Sequence, residues 1–435
     1  MGLILKNRIV KNASWIVACK IAQSILSFIV TMFVARYLGP SNYGVINYAA
    51  SIVAFVVPIV QLGLGNIQVQ ELVENPDDEG KIIGTTLLLS CISAFAGVVG
   101  VLSFVAIANE GESETIVVCA LYSTILFFQG ADLIHYWFQA KFISKYASLV
   151  SISAFAIVAI YKIFLLLTGK NIFWFALANP IDYIIILIAL IIVYKKLGGT
   201  KLSFSLNVAK RMMAKSKYYI IANLMVVVFT QTDRVMLKMM LDSSATGFYS
   251  AASTCAQLSN FVFAAIIDSA RPAIFEKHKK SRNEFKSSMI VLYSVIIYST
   301  LAFGLVVTLL ANPIITVVYG EQYSPAIAVL RVIVWFLPFS FIGSVRNVWL
   351  LAENKQKWIP VINLSGAIAN VAMNFVLIPI WGMVGAGIAS LVTQCFSNVF
   401  VSYIIRDTRE NSKLMIKGLD VRLFVGQIKS YPKKR

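Results

Sequence analysis

The stretch 83-IGTTLLLSCISAFAGVVGVLSFVAIA-108 decides the fold, because it has no charged side chain over the length of a membrane crossing. A hydrocarbon core about 30 Å thick needs about 20 residues of helix, and lipid offers no polar partners to an open backbone. Similar apolar runs recur along a chain that is 58% hydrophobic and 13% charged. The runs are continuous rather than alternating, which favours helices over barrel strands. The sequence therefore predicts an all-α, polytopic membrane protein.

About twelve such runs can be separated, six in each half of the chain. They are predicted at 13–35, 43–65, 83–108, 116–138, 146–168, 172–194, 217–241, 245–270, 288–311, 325–351, 357–380 and 382–405. This spacing predicts an amino-terminal six-helix lobe over 1–200, a carboxy-terminal six-helix lobe over 201–405 and a basic cytoplasmic tail over 406–435. No cleavable signal peptide precedes the first run, which already has the length of a full crossing.

Lysine and arginine fall on one side of the membrane if the spans alternate. They crowd the segment before the first span, the links after the sixth and eighth spans, and the tail. The opposite side has Arg36, Lys170 and Lys238 with the acidic 109-NEGESET-115. This distribution predicts that both termini are cytoplasmic. The same loops carry the net charge of +18. Because anionic lipid headgroups account for such loops, the basic balance does not indicate a nucleic-acid partner.

The two halves of the chain resemble each other. The segment 34-VARYLGPSNYGVINYAAS-51 aligns with 236-MLKMMLDSSATGFYSAAS-253 at a constant offset of 202 residues, between the first two spans of each half. Six spans is an even number, so both halves would enter the membrane from the same side. Transporters built from such repeats bind substrate between two lobes and expose it alternately to each side. We therefore expect two pseudo-symmetric lobes around a central cleft.

Polar and charged side chains inside the spans are the candidates for lining that cleft, because each charge costs about 2.5–3.5 kcal/mol at a helix centre. A basic surplus suits an anionic cargo, since arginine grips phosphate through a planar fork of donors. Arg331 and Arg346 are predicted on one face of the tenth span, about 22 Å apart at the rise of a straight helix. The predicted substrate-binding residues are Lys20, Lys162, Arg234, Arg331, Arg346, Asn223, Asn370 and Asn374.

A second set of titratable residues forms the candidates for ion coupling. These residues are Asp132, His135, Asp182 and Asp233. Asp132 and His135 lie one helical turn apart. They form either a proton-relay pair or a hydrogen-bonded helix cap near the lipid headgroups. Asp182 and Lys162 either neutralise each other or contact the cargo. Asp233 either couples an ion or pairs with a neighbouring helix, and isolated Ser, Thr and Asn residues suit interhelical hydrogen bonds equally well.

Signatures of catalysis are absent from the sequence. No His, Cys and carboxylate cluster has metal-ligand spacing, and no nucleophile has a nearby base, so we expect no enzyme activity, cofactor or metal site. The Gly-rich 382-GMVGAG-387 begins an apolar span and does not match a phosphate-binding loop. The five cysteines all lie within predicted spans and are interpreted as packing residues: Cys19, Cys91, Cys119, Cys255 and Cys395.

Four stretches distributed over nearly the whole chain resemble the bacterial lipid-linked oligosaccharide flippases of the multidrug/oligosaccharidyl-lipid/polysaccharide exporter superfamily. They are 35-ARYLGPSNYGVINYAAS-51, 136-YWFQAKFISKY-146, 232-TDRVMLKMMLDSSATGFYSAAS-253 and 374-NFVLIPIWGMVGAGIAS-390. The family often has an acidic residue after the glutamine of the second stretch. Here Lys141 follows Gln139 and Ala140, a departure that bears on substrate detail rather than on class.

The resemblance implies a multi-pass protein of the bacterial inner membrane that turns undecaprenyl-pyrophosphate-linked repeat units to the outer leaflet by alternating access. It implies a role in O-antigen, lipopolysaccharide or capsule biosynthesis, with membrane lipids and other polysaccharide-assembly membrane proteins as partners. Two alternatives stay open at this point. One is a polysaccharide polymerase or ligase acting on the same lipids, against which the short outer loops and the internal repeat count. The other is a cation-coupled drug exporter of the related branch, which would favour an acidic cleft.

Overall fold

A computed structural model describes residues 2–422, with side chains from residue 23 onward except those of 66, 218 and 222. Lys20 and Cys19 therefore lie outside the described side chains, and the end of the basic tail lies outside the described residues. The regular structure of residues 2–422 is helical, with no strand among them. The predicted all-α membrane architecture is confirmed. Contacts divide the chain into two compact units, unit 1 over Met1–Gln231 and unit 2 over Thr232–Arg435.

The helices of unit 1 are α1 (Gly2–Val60), α2 (Leu64–Glu74), α3 (Glu79–Ala108), α4 (Ser113–Ser123), α5 (Gly130–Ala140), α6 (Ser144–Leu167), α7 (Ile172–Ala176), α8 (Ala178–Lys196) and the first part of α9 (Leu206–Met240). Unit 2 continues with α10 (Ser243–Gln257), α11 (Asn260–Lys280), α12 (Arg282–Leu309), α13 (Ala311–Tyr319), α14 (Ala326–Ile333), α15 (Phe336–Ala352), α16 (Trp358–Cys395), α17 (Ser402–Ile404) and α18 (Arg409–Lys417).

Ten helical segments of the described chain are long and apolar enough to cross a membrane, where about twelve spans were predicted. The difference lies at two glycines. Gly39 has a φ of 73° within α1, and Gly382 has a φ of 57° within α16. Such left-handed backbone is accessible to glycine at little cost, so the chain turns at these points without a long loop. The predicted spans 13–35 and 43–65 share α1, and 357–380 and 382–405 share the segment that contains α16.

The connection between the sixth and seventh predicted spans lies against α3 in unit 1. The Ser203 amide donates to the Gly80 carbonyl at 3.1 Å, and the Ser205 amide donates to Thr85 Oγ1 at 2.9 Å. A Cβ at Gly84 would lie 2.4 Å from the Ser203 carbonyl oxygen, so only glycine fits beneath this backbone. The boundary between the compact units consequently falls inside α9, after Gln231, well beyond residue 200.

The core of unit 1 contains the sequence motif that begins at Tyr136. Trp137 is 3% exposed and makes edge-to-face contacts with Phe138 and Tyr194, each with ring centroids 4.8 Å apart. Such aromatic pairs contribute about 0.5–1.5 kcal/mol beyond their buried area. Lys141, the residue that departs from the family pattern, pairs with Glu79 at 2.8 Å. Its cationic side chain therefore fixes the end of α5 to the start of α3.

The carboxy-terminal helix α18 is fastened to unit 2 by polar contacts. The Tyr293 hydroxyl donates to Asn411 Oδ1 at 2.9 Å, while Lys286 and Arg282 pair with Glu410 at 2.9 and 2.6 Å. Burial raises the pKa of the Glu410 carboxyl, but the hydrogen bonds from Lys286 and Arg282 outweigh burial and hold that pKa below its ordinary value. The carboxylate therefore stays charged and paired at neutral pH.

Candidate functional site

A buried polar cluster of unit 2 is built around the Asp233 carboxylate, which is 5% exposed. Asn370 and Asn374 donate to its Oδ1 atom at 3.1 and 2.7 Å. The hydroxyls of Tyr249 and Ser390 donate to its Oδ2 atom. Four donors thus converge on one buried acidic side chain. We refer to these five residues as the Asp233 cluster.

Three helices contribute side chains to the Asp233 cluster. Asp233 is on α9, Tyr249 is on α10, and Asn370 and Asn374 occupy one face of α16 four residues apart. Ser390 lies on the same helix beyond the turn at Gly382. A Cβ at Gly385 would lie 2.1 Å from the Leu377 carbonyl oxygen, so glycine is needed there for the two halves of α16 to approach.

Arg346 lies in a second buried cluster of unit 2 and is 1% exposed. Its Nη1 atom donates to Asn398 Oδ1 at 2.9 Å and to Ser402 Oγ at 3.2 Å, and its Nη2 atom donates to Asn347 Oδ1 at 3.1 Å. Asn398 is within a π-helical turn over Phe396–Val401, and such turns are frequent at functional positions. That Arg346 contacts a head group stays a prediction. Its guanidinium group is buried among side chains of unit 2, which does not support that contact.

The other predicted cations and amides are more accessible. Arg331 on α14 and Asn223 on α9 are exposed, and Arg234 on α9 is half-buried. A tight turn at Val334 and Trp335 separates α14 from α15 within the predicted tenth span. Arg331, before the turn, is exposed and Arg346, after it, is buried, and their predicted common face stays a prediction.

In unit 1 the predicted coupling residue Asp132 lies beside two glutamines. Gln61 Nε2 donates to Gln129 Oε1 at 2.9 Å and to Asp132 Oδ2 at 3.0 Å. His135 faces a different neighbour, since its Nε2 atom lies 3.1 Å from Ser151 Oγ on α6. Of the proposed proton-relay pair, Asp132 therefore contacts Gln61 between α1 and α2, whereas His135 contacts Ser151 on α6.

Lys162 and Asp182 lie on adjacent helices, α6 and α8. The Lys162 ammonium donates to Asn179 Oδ1 at 3.4 Å, and Asn179 in turn donates to the Tyr122 hydroxyl at 2.8 Å. Within the described side chains no ion pair joins Lys162 to Asp182, and Asp182 Oδ1 is buried without a hydrogen bond. The choice between mutual neutralisation and contact with the cargo therefore stays a prediction for this pair.

Sequence reasoning missed several members of these clusters. It did not single out Gln129, Tyr249 or Asn398, because a lone polar residue in an apolar span gives no signal of its partner. Ser390 was within the recognised stretch 374–390 but was not assigned a role. Its spacing from Asn374 had no meaning until the turn at Gly382 was known.

A further charged cluster of unit 1 fastens the beginning of α9. Glu71 on α2 is 1% exposed and pairs with Arg211 at 2.8 Å and with Lys215 at 2.9 Å. Asn75 Nδ2 also donates to Glu71 at 3.1 Å. A buried carboxylate with three donors is well stabilised. These contacts explain why the amino-terminal part of α9 belongs to unit 1.

Solved transporters of known conformation share this fold. A lipid II flippase, MurJ, in its inward closed conformation superposes with a TM-score of 0.76 at 14% identity, covering 97% of this chain and 99% of that one. A multidrug resistance MATE family transporter in its inward-facing conformation gives a TM-score of 0.72 at 12% identity, covering 91% of this chain and 96% of that one. The fold is therefore that of an all-helical membrane transporter.

Sequence similarity narrows the class. The model of the polysaccharide biosynthesis protein family matches residues 9–278, more than half of the chain, and the chain belongs to that family. A relative from Escherichia coli named "Putative O-antigen transporter" is 20% identical over 417 residues, covering 93% of this chain and 98% of its own length. A relative of the same name from Shigella flexneri is 22% identical over 411 residues, covering 88% of this chain and 94% of its own length. The family resemblance read from the sequence is confirmed.

Proposed function

We propose that the protein flips undecaprenyl-pyrophosphate-linked oligosaccharide repeat units from the cytoplasmic to the outer leaflet of the bacterial inner membrane, for O-antigen or capsule assembly. The observation that carries the proposal is the match along nearly the whole chain to two proteins named for O-antigen transport. Membership of the polysaccharide biosynthesis family and the fold shared with a lipid II flippase support it.

The chemistry of the cargo explains why a protein of this kind is needed. A sugar head with many hydroxyls and a pyrophosphate cannot cross hydrocarbon unaided, since each unpaired polar group costs several kcal/mol there. The protein replaces water around the head group, while the polyprenyl tail stays in lipid. Exposing the head group alternately to the two sides of the membrane completes the transfer. Both termini are cytoplasmic in this scheme.

Among the predicted cations, Arg331 is the strongest candidate for the pyrophosphate because it is exposed on a membrane-spanning segment. Arg234, which is half-buried, is the second candidate, and Lys20 and Lys162 complete the set. Replacing Arg331 by Ala should abolish complementation of a deletion strain, whereas Arg331→Lys, which keeps the charge but not the planar fork, should retain part of it. Full activity of Arg331→Ala would remove this residue from the site.

The candidates for coupling transport to a driving ion are four titratable residues within the spans: Asp132, His135, Asp182 and Asp233. Substituting Asp132 and His135 together by Asn and Gln tests the relay, and transport that continues unchanged would exclude it.

A drug exporter is the second candidate function, because a multidrug transporter shares the fold. Deleting the gene in its host separates the candidates. Lipid-linked repeat units trapped on the cytoplasmic leaflet, with surface polysaccharide lost, are the result expected for a flippase. Single units on the outer leaflet without long chains would indicate a polymerase. Normal polysaccharide with raised drug sensitivity would indicate an exporter.

A further inference from the structure

Two interrupted helices meet inside unit 1. The first interruption follows α1, where Leu62 and Gly63 have φ values of 52° and 61° before α2 begins at Leu64. A leucine rarely adopts left-handed backbone, and such strain persists mainly where surrounding structure imposes it, often at binding sites. Gly63 is also tightly packed, since a Cβ there would lie 2.8 Å from the Ile220 amide nitrogen.

The second interruption is in the fourth span. Between α4 and α5 the chain tightens into a 3-10 turn over Thr124–Phe128, and Gln129 forms the junction to α5. Non-helical backbone at membrane depth is tolerated where it is enclosed by protein or lines a polar cavity. In transporters, pairs of discontinuous helices are pointers to substrate sites.

Side chains at the two interruptions contact each other. Gln61, the residue directly after α1, donates from one amide nitrogen to Gln129 Oε1 at 2.9 Å and to Asp132 Oδ2 at 3.0 Å. Tyr136, one turn after Asp132, lies over Gly65, where a Cβ would be 2.5 Å from its ring and hydroxyl. We call Gln61, Gln129, Asp132 and Tyr136 the glutamine cluster.

The glutamine cluster retains unused hydrogen-bonding capacity. Gln61 and Asp132 are both half-buried, and within the described side chains the Gln61 Oε1 and Asp132 Oδ1 atoms accept no hydrogen bond. No ion pair of the described residues involves Asp132, and the side-chain donor to its carboxylate is the neutral amide of Gln61. A carboxylate without a cation repels phosphate, which argues against the pyrophosphate as its ligand.

Sugar hydroxyls match the remaining chemistry. Each hydroxyl donates one hydrogen bond and accepts others, a carboxylate accepts from two hydroxyls, and a carboxamide both donates and accepts. An adjacent tyrosine adds an apolar ring face with a polar tip, which suits the alternating surfaces of a sugar ring. The cluster thus offers acceptors, donors and a ring at one place.

We propose that the glutamine cluster is the site in unit 1 that binds the hydroxyls of the oligosaccharide head group, separately from the cations that bind its pyrophosphate. This inference rests on the proposed function and deepens it. The cluster recognises sugar rather than the lipid carrier, so its residues set which repeat unit the protein accepts.

The test compares two lipids that differ only in the sugar. Purified protein in nanodiscs is titrated with undecaprenyl-pyrophosphate-linked repeat units extracted from the host deletion strain, and with undecaprenyl pyrophosphate alone. Gln61→Leu should weaken binding of the sugar-bearing lipid about tenfold, which corresponds to about 1.4 kcal/mol, and leave binding of the bare carrier unchanged. Asp132→Asn, which keeps the side-chain size, should give the same pattern.

Gln70→Leu is the matched control, since Gln70 is an exposed glutamine of α2 that bonds Glu74 at 2.7 Å. It should bind both lipids as the wild type does. Equal weakening of both lipids by Gln61→Leu, or no effect on either, would overturn the inference. Unchanged binding with lost dependence on protons or sodium in Asp132→Asn would assign the cluster to coupling instead. Wild-type protein that binds the sugar-bearing lipid no better than the bare carrier would contradict the inference alone, whereas failure to bind either lipid would contradict the proposed function itself.

Discussion

Substitution of Asp233 separates the structural from the functional role of the buried carboxylate in unit 2. The carboxylate accepts hydrogen bonds from Asn370, Asn374, Tyr249 and Ser390. In Asp233→Asn, the remaining oxygen can keep the two amide donors, and the new amide group can donate to the two hydroxyls. In Asp233→Leu, all four donors lose the carboxylate, and the bonds left within the cluster are Asn374 to Asn370 at 3.2 Å and Tyr249 with Ser390 at 3.4 Å.

The expected costs follow from these bonds. A hydrogen bond to a charged group contributes about 1.5–3 kcal/mol and a neutral one about 0.5–1.5, with smaller values near 0.6 in membrane bundles. Asp233→Asn should therefore lower the free energy of unfolding by about 1–2 kcal/mol. Asp233→Leu removes the shared acceptor of four donors and should lower it by about 2–6 kcal/mol. The leucine variant should be the less stable of the two by more than about 1 kcal/mol.

Unfolding by sodium dodecyl sulfate in mixed micelles, followed by tryptophan fluorescence, measures these differences. A leucine variant within about 0.5 kcal/mol of the wild type would refute the account of the cluster as a stabilising network. Equal losses for Asn and Leu would show that charge, rather than hydrogen bonding, holds it together. Complementation of a deletion strain tests the function of the same variants. An Asp233→Asn protein that folds but does not transport would indicate that the charge of Asp233 is needed for ion coupling.

The remaining predictions concern the charged contacts at the ends of the membrane spans. Glu71→Gln should weaken the attachment of Arg211 and Lys215 to α2. The loss of stability of unit 1 should be only about 1–2 kcal/mol, because both cations remain accessible to water. Limited proteolysis between residues 197 and 217 should become faster, and an unchanged cleavage rate would contradict this role. The pKa of Glu410 is lowered in the folded protein, so its contribution to stability is present at neutral pH and is lost as pH falls below its ordinary value and through the lowered one. Thermal midpoints measured from pH 7 to pH 4 should therefore fall more for the wild type than for Glu410→Gln, and parallel curves would contradict the assignment.

The sequence predicts the fold well because its signals are local. Apolar runs longer than a membrane crossing identify spans without reference to any other part of the chain. Asn370 and Asn374 are four residues apart, a spacing that places them on one helix face, and both contact one carboxylate oxygen. The turns at Gly39 and Gly382 were expected only as gaps between spans. Glycine can adopt a positive φ, but its presence in a sequence does not show that it does so.

The site is less predictable because its contacts join distant parts of the chain. Asp233 was recognised as a buried acid, but Tyr249 and Ser390 could not be assigned to it from helical periodicity. Arg346 was expected near a head group, since a charge in a span suggests function, yet amide and hydroxyl groups of its own unit enclose it. Helical periodicity shows which residues lie on one side of a helix, but it does not show which other helix packs against that side.

Transport of the lipid-linked sugar by the purified protein tests the central claim most directly. The protein is reconstituted into liposomes with labelled undecaprenyl-pyrophosphate-linked repeat units, and the label exposed to an impermeant reagent is followed with time. We predict that wild-type protein moves the label between leaflets faster than protein-free liposomes and faster than the Arg331→Ala variant. Movement of the label no faster with protein than without it, under conditions where the protein is folded, would contradict the assignment as a flippase.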